Sequence, residues 1–184
     1  NRENLRDKAG NFLELFTVLS VGFVLLASEV YRYVYVSRDF WGSTMLIPIF
    51  VSSYYTNFLC TFPVNFEYYH KKTKVVSIIT IVSSLVNVGL NYLLILRIGM
   101  AGAAVATLIS HSLQLTLHYL YVRFALGGKE YPFPLKMWGG YAAVFAAVAV
   151  ASVAADGLWL ARWGLGAAIG AWELLRIRKR KVLI

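Results

Sequence analysis

Polar side chains recur at helical spacing inside the apolar segments of this sequence. In such a segment a polar side chain needs a hydrogen-bonding partner. One stripe has hydroxyl and amide side chains at steps of three or four residues: Ser77, Thr80, Ser84, Asn87 and Asn91. A second stripe has the same spacing and adds imidazoles: Thr107, His111, Gln114 and His118. Residues three and four apart share one helix face. Each stripe can therefore line a polar path or hydrogen-bond across a packed interface, and the two can meet or border one aqueous cavity.

The ionisable residues admit several kinds of site. His111 and His118 are seven residues apart on one face, but no third ligand stands near them, so we expect no metal site. Proton sensing is an alternative because histidine titrates near neutral pH, and a packed, hydrogen-bonded histidine is the simplest reading. Glu14 lies about one turn inside an apolar segment, where a carboxylate must face water or a partner, as in an inner vestibule. The candidate residues of a substrate path are Asn87, Asn91, His111, Gln114, His118 and Glu14.

Glu29 and Arg32 are a further ionisable pair, near the opposite end of the first apolar segment. They are three residues apart and can contact each other on one helix face. We expect a structural ion pair there.

None of the patterns that build a catalytic centre is present. The sequence has no GxSxG, HExxH or Walker A motif, and no acidic pair placed to hold Mg²⁺ against a diphosphate. Nine acidic residues and three histidines leave few ways to assemble general acids and bases. We therefore expect no enzyme activity, no catalytic residue and no cofactor, but reversible binding in a cavity. The single cysteine, Cys60, allows no internal disulfide.

Composition places the chain in a membrane. Of its 184 residues, 59% are hydrophobic and only 15% are charged, whereas a soluble domain carries roughly 25% charged residues. A mean hydropathy of +0.61 means that the apolar surplus cannot fit inside a water-facing shell. The net charge of +9 would suit a nucleic-acid partner in a polar protein. Here the basic residues form short clusters between apolar segments, so we expect a lipid bilayer and no nucleic acid.

The apolar segments predict an all-α integral membrane protein with about six transmembrane helices. A helix needs about 20 apolar residues to cross a bilayer, and six segments qualify approximately: Phe12–Tyr35, Thr44–Phe66, Val75–Leu96, Met100–Phe124, Met137–Ala155 and Leu158–Ile177. The breaks between them are short, so neighbouring helices should run antiparallel. The sixth segment contains Arg162 and Glu173, so a re-entrant or interfacial hairpin remains an alternative for the last two.

Charge asymmetry predicts the orientation of these spans. Fourteen Lys and Arg residues lie on the side of the two termini, the second loop and the fourth loop, and four lie on the other side. Positive charge is enriched in cytoplasmic loops. We therefore expect a multi-pass protein of the inner (plasma) membrane with both ends of this segment in the cytoplasm. The chain opens at Asn1 with no signal-peptide pattern, which indicates a processed chain or a fragment of a longer protein.

The segment 66–111 carries a resemblance to a known family. Its pattern is a basic turn with Lys72-Thr73-Lys74, a helix with Asn87 and Leu90-Asn91, then Gly99, then Gly102-Ala103-Ala104 with Ala106-Thr107 and Ser110. In this combination the segment resembles the C-terminal part of the polysaccharide-biosynthesis flippases. These form the Wzx-type branch of the multidrug, oligosaccharidyl-lipid and polysaccharide exporter superfamily. The resemblance covers residues 1–125, as a four-helix part of the C-terminal bundle, and extends to 126–184 as a terminal helix pair with a basic tail.

The resemblance implies a transporter made of two bundles, of which this chain is one half. Such proteins flip lipid-linked oligosaccharides of the undecaprenyl diphosphate type by alternating access, so the implied partners are that lipid and a missing N-terminal bundle. A related drug or ion-coupled exporter is one alternative, and a nonenzymatic subunit of a polysaccharide assembly complex is another. A membrane-embedded glycosyltransferase would need catalytic residues in a large external loop, and the predicted external loops are all short.

Overall fold

The fold is a bundle of α-helices. The computed structural model describes residues 2–31, 43–127, 131–133, 135–154 and 159–180. Over these ranges it contains six helices and no strand: α1 (Arg2–Val30), α2 (Ile47–Tyr69), α3 (Thr73–Ile98), α4 (Met100–Phe124), α5 (Leu135–Ala154) and α6 (Trp159–Arg180). The predicted all-α membrane bundle is confirmed.

Among the described residues, four helices are long and apolar enough to cross a membrane. They cover Arg6–Val30, Ser43–Tyr69, Thr73–Ile98 and Met100–Phe124. α5 contains a shorter apolar stretch, Trp138–Val153. The crossing of the membrane by α5 and α6 therefore stays a prediction.

The ends of the helices follow from local sequence. Pro48 lies in the first turn of α2, where its missing N–H removes no helical hydrogen bond. α3 and α4 are joined by Gly99 alone, with φ 60° and ψ −140°. This backbone conformation is strongly disfavoured for residues that have a Cβ. Close packing follows at Gly102, where an added Cβ would lie 2.4 Å from the Leu94 carbonyl carbon. The one-residue turn forces α3 and α4 into an antiparallel pair.

The bundle has two groups of helices joined through α2. α4 packs against both α2 and α3, while α1 packs against α5 and α6. Aromatic side chains fill the centre: the Phe16 and Phe58 rings stack with centroids 3.9 Å apart, and the Tyr55 and Phe145 rings at 4.3 Å. The Thr17 hydroxyl bonds to the Tyr55 hydroxyl at 2.8 Å, which satisfies both groups inside the core.

α3 is the least covered of the four long helices. Only 11% of its apolar stretch is buried inside the bundle, against 50% for α1. Its contacts are with α4 and, to a small extent, α2. Most of the surface of α3 is therefore not covered by the other described helices.

Candidate functional site

The polar stripe of α3 lies on this open surface. Ser77, Thr80 and Ser84 are exposed, and Asn87 and Asn91 are half-buried. The Asn91 amide nitrogen donates to the Asn87 side-chain oxygen at 2.9 Å. Asn87 is the fifteenth of the 26 residues of α3, about 20 Å from the start of the helix at 1.5 Å per residue. The asparagine pair therefore lies in the middle of the span.

The hydroxyls and the amides of this stripe differ in how many hydrogen bonds they require. Ser77 donates to the carbonyl of Thr73 at 3.1 Å, so its own helix satisfies it. A carboxamide has two N–H donors and two acceptor lone pairs. The bond between Asn87 and Asn91 uses one donor and one lone pair. Within the described part of the chain the other amide groups of these two residues have no protein partner, so they need water or a ligand.

The polar stripe of α4 faces α2 instead. The His111 Nδ1 lies 3.0 Å from the carbonyl oxygen of Ser53 and 2.9 Å from its hydroxyl. Because a carbonyl only accepts, Nδ1 carries the hydrogen and donates it. Thr107 bonds to Ala103 in its own helix at 2.9 Å, and Gln114 is half-buried. Among the described hydrogen bonds none joins this stripe to that of α3.

His118 ends the second stripe in a buried ionisable pair that sequence reasoning missed. Its Nδ1 lies 2.9 Å and 3.0 Å from the two carboxylate oxygens of Glu67, and both side chains are 0% exposed. Glu67 stands one residue beyond the predicted end of the second span, where a carboxylate would reach the headgroups. In the structure α2 continues to Tyr69. An acidic residue at a span end, with a histidine in a later span, was the available signal.

Other polar groups surround the Glu67–His118 pair. The Glu67 carboxylate interacts electrostatically with Cys60 on α2 and with Tyr131 before α5. Burial raises the pKa of the Tyr131 phenol well above its usual range, and the neighbouring Tyr119 adds to this. His118 Nε2, Tyr131 Oη and Trp138 Nε1 are buried polar atoms with no hydrogen-bond partner in the described residues. Because both side chains are 0% exposed, the Glu67–His118 pair is shielded from bulk solvent.

The two carboxylates of α1 are also buried. Glu14 is 4% exposed and lies inside the bundle. Glu29 contacts the Arg162 guanidinium of α6 at 3.0 Å, and Arg162 also donates to the carbonyl of Val24 at 3.3 Å. The expected partner of Glu29 was Arg32, which lies outside the described residues. The pair that the structure describes instead links the first helix to the last.

An apolar groove of about 660 Å³ lies beside this ion pair, between α1, the start of α2 and α6. Phe23 and Leu26 of α1 line it together with Ile47 and Ile169. The groove has few polar groups to bind a sugar. No group of three or more metal-ligating side chains comes together in the part of the chain described.

No protein-family model, curated protein or solved structure matches this chain. Of the six candidate path residues, the structure brings Asn87 and Asn91 together on the open side of α3. It places His111 and His118 against α2, Gln114 half-buried on α4 and Glu14 inside the bundle. The open asparagine pair is therefore the candidate contact for a polar ligand.

Proposed function

We propose that this chain is the C-terminal half of a membrane transporter that flips a lipid-linked oligosaccharide by alternating access. The observation that carries the proposal is the open face of α3, with two asparagines in mid-span whose amides are only partly satisfied. Amide groups in contact with acyl chains cost free energy, whereas water or sugar hydroxyls satisfy them. The resemblance of segment 66–111 to the Wzx-type flippases supplies the class of cargo, an undecaprenyl diphosphate-linked sugar.

In the proposed transporter, other helices cover α3. A second bundle, of the kind that the resemblance implies, would face this helix across a water-filled path. The sugar would bind between the two bundles, and the polyprenyl chain would stay in lipid. The proposed location is the inner membrane, with both ends of the segment in the cytoplasm.

Changing the two asparagines tests the cargo. In cells that express the native gene, Asn87→Leu with Asn91→Leu is expected to lower flipping about tenfold, because losing hydrogen bonds of about 1 kcal/mol each weakens sugar binding. The measurement is surface polysaccharide together with lipid-linked oligosaccharide retained on the cytoplasmic leaflet, at matched protein abundance. Val88→Leu is the control, because Val88 is exposed on the same helix and is already apolar.

The possible results distinguish the flippase from the drug exporter and from the nonenzymatic subunit. Unchanged surface polysaccharide in the double variant would contradict the flippase proposal. Intact polysaccharide with increased drug retention, in a strain deleted for the gene, would favour the drug exporter. Loss of polysaccharide after deletion but not in the asparagine variant would favour a nonenzymatic subunit.

The orientation predicts which loops can be labelled from outside. On a Cys60→Ala background, a membrane-impermeant thiol reagent applied to intact cells is expected to label Arg97→Cys but not Lys72→Cys. Both positions are exposed and lie at opposite ends of α3. The expectation follows from the charge asymmetry of the loops. The reverse labelling would show that the topology is inverted.

A further inference from the structure

The Glu67–His118 pair has an environment that constrains its protons. Both side chains are 0% exposed, and the His118 Nδ1 lies almost equally far from the two Glu67 oxygens, at 2.9 Å and 3.0 Å. A net charge in such a buried site costs far more than a neutral pair of opposite charges. We propose that Glu67 and His118 form a proton-binding site that holds α2 against α4, and that gain or loss of one proton there opens this interface.

The number of protons on the Glu67–His118 pair determines its net charge. The closed pair is neutral as a whole when it holds one titrating proton, either as imidazolium with carboxylate or as imidazole with carboxylic acid. Removing that proton leaves a buried negative charge, and adding a second leaves a buried positive charge. Either state is stabilised by water, so it favours separation of α2 and α4. The closed interface is thus most stable between an acidic and an alkaline limit.

Other titratable groups lie near the pair on α2, on α4 and before α5. They are Cys60 on α2, His70 at the end of α2, Tyr119 on α4 and Tyr131 before α5. Tyr131 stays neutral because burial raises its pKa. The basic and acidic side chains at this end of the neighbouring helices are exposed on α1, α3 and α5: Arg6, Asp7, Lys8, Lys74 and Lys136. Glu14 of α1 is buried about two turns further along its helix.

The position of the pair gives the opening a direction. Glu67 is three residues before the turn that starts at His70 and contains Lys71 and Lys72, so separation there would admit water from that end of the bundle. His118 Nε2 has no hydrogen-bond partner among the described residues and can accept from or donate to water that enters. This inference concerns the chain itself and does not depend on which cargo the transporter carries.

The native Cys60 reports the opening. It is 3% exposed and two turns from Glu67 on the same helix. In native membranes, its alkylation rate by N-ethylmaleimide is measured across pH and divided by the rate of an exposed cysteine, Lys72→Cys on Cys60→Ala. We expect slow alkylation in a middle window and a rise on both sides, approaching tenfold per pH unit because one proton is exchanged per opening. A flat corrected profile in the wild-type protein overturns the proposal.

Two near-isosteric variants assign the two sides of the profile. Glu67→Gln has no carboxylic acid proton to lose, so the alkaline rise should disappear while the acidic rise stays. His118→Gln cannot become an imidazolium, so the acidic rise should disappear while the alkaline one stays. If both variants keep the wild-type profile, the pair is not the proton-binding site. A transport-inactive protein with the expected profile would contradict the proposed cargo but not this site.

Discussion

Gly102→Val is expected to break the packing of α3 against α4. An added Cβ would lie 2.4 Å from both the carbon and the oxygen of the Leu94 carbonyl and 2.7 Å from the backbone nitrogen of Ile95. These are backbone atoms within α3, so they cannot move without displacing the helix. Overpacking of this kind costs about 1–3 kcal/mol, occasionally more. We expect the free energy of unfolding to fall by about 3 kcal/mol or more.

The measurement is unfolding of the reconstituted protein by denaturant in detergent or bicelles. Gly89→Val is the matched control, because Gly89 is also a helical glycine and an added Cβ meets nothing within 4 Å. Both variants replace a helical glycine by valine, so the change in intrinsic helix propensity is similar in the two. Equal stability of the two would show that α3 and α4 do not approach as closely as the structure describes.

Arg162→Met is expected to have the second large effect, on the docking of α6 against α1. It leaves the Glu29 carboxylate, 4% exposed, without the guanidinium that contacts it at 3.0 Å. Breaking a buried ion pair on one side costs about 3–5 kcal/mol, because the remaining charge stays buried. Removing both charges, as Glu29→Gln with Arg162→Met, should recover most of that loss.

A double-mutant cycle measures this coupling from the unfolding free energies of the two single variants and the double variant. Arg97→Met is the control for loss of a positive charge, because Arg97 is exposed at the end of α3. If the double variant is no more stable than Arg162→Met alone, the two side chains do not interact as described.

The helices were predictable because a bilayer imposes a strong rule on sequence. Long apolar segments separated by glycine and charge set the number of helices and gave the bounds of α4, Met100–Phe124, as the structure has them. The apolar pattern predicts a span that begins at Phe12, whereas α1 begins at Arg2. The apolar pattern detects the part that lies in hydrocarbon. It does not detect a polar turn that continues the helix towards water.

The partners of the polar residues were harder to predict. Helical spacing correctly put His111 and His118 on one face, but spacing does not say which helix that face meets, and it meets α2. Spacing predicts a contact of Glu29 with Arg32, which lies outside the described residues, and does not indicate Arg162, which Glu29 contacts in the structure. Such contacts depend on how the helices assemble. Local rules for residues on one helix do not contain that information.

Accessibility along α3 tests the central claim most directly, which is that its polar face borders a water-filled path. Single cysteines are placed on a Cys60→Ala background, in the native gene, at the polar positions Ser84, Asn87 and Asn91. Matched positions at Leu85, Val88 and Tyr92 are exposed but apolar. A water-soluble methanethiosulfonate reagent is expected to modify the polar set and spare the apolar set, because only the path contains water. Equal modification of both sets, or none at any of these six positions, would contradict the claim.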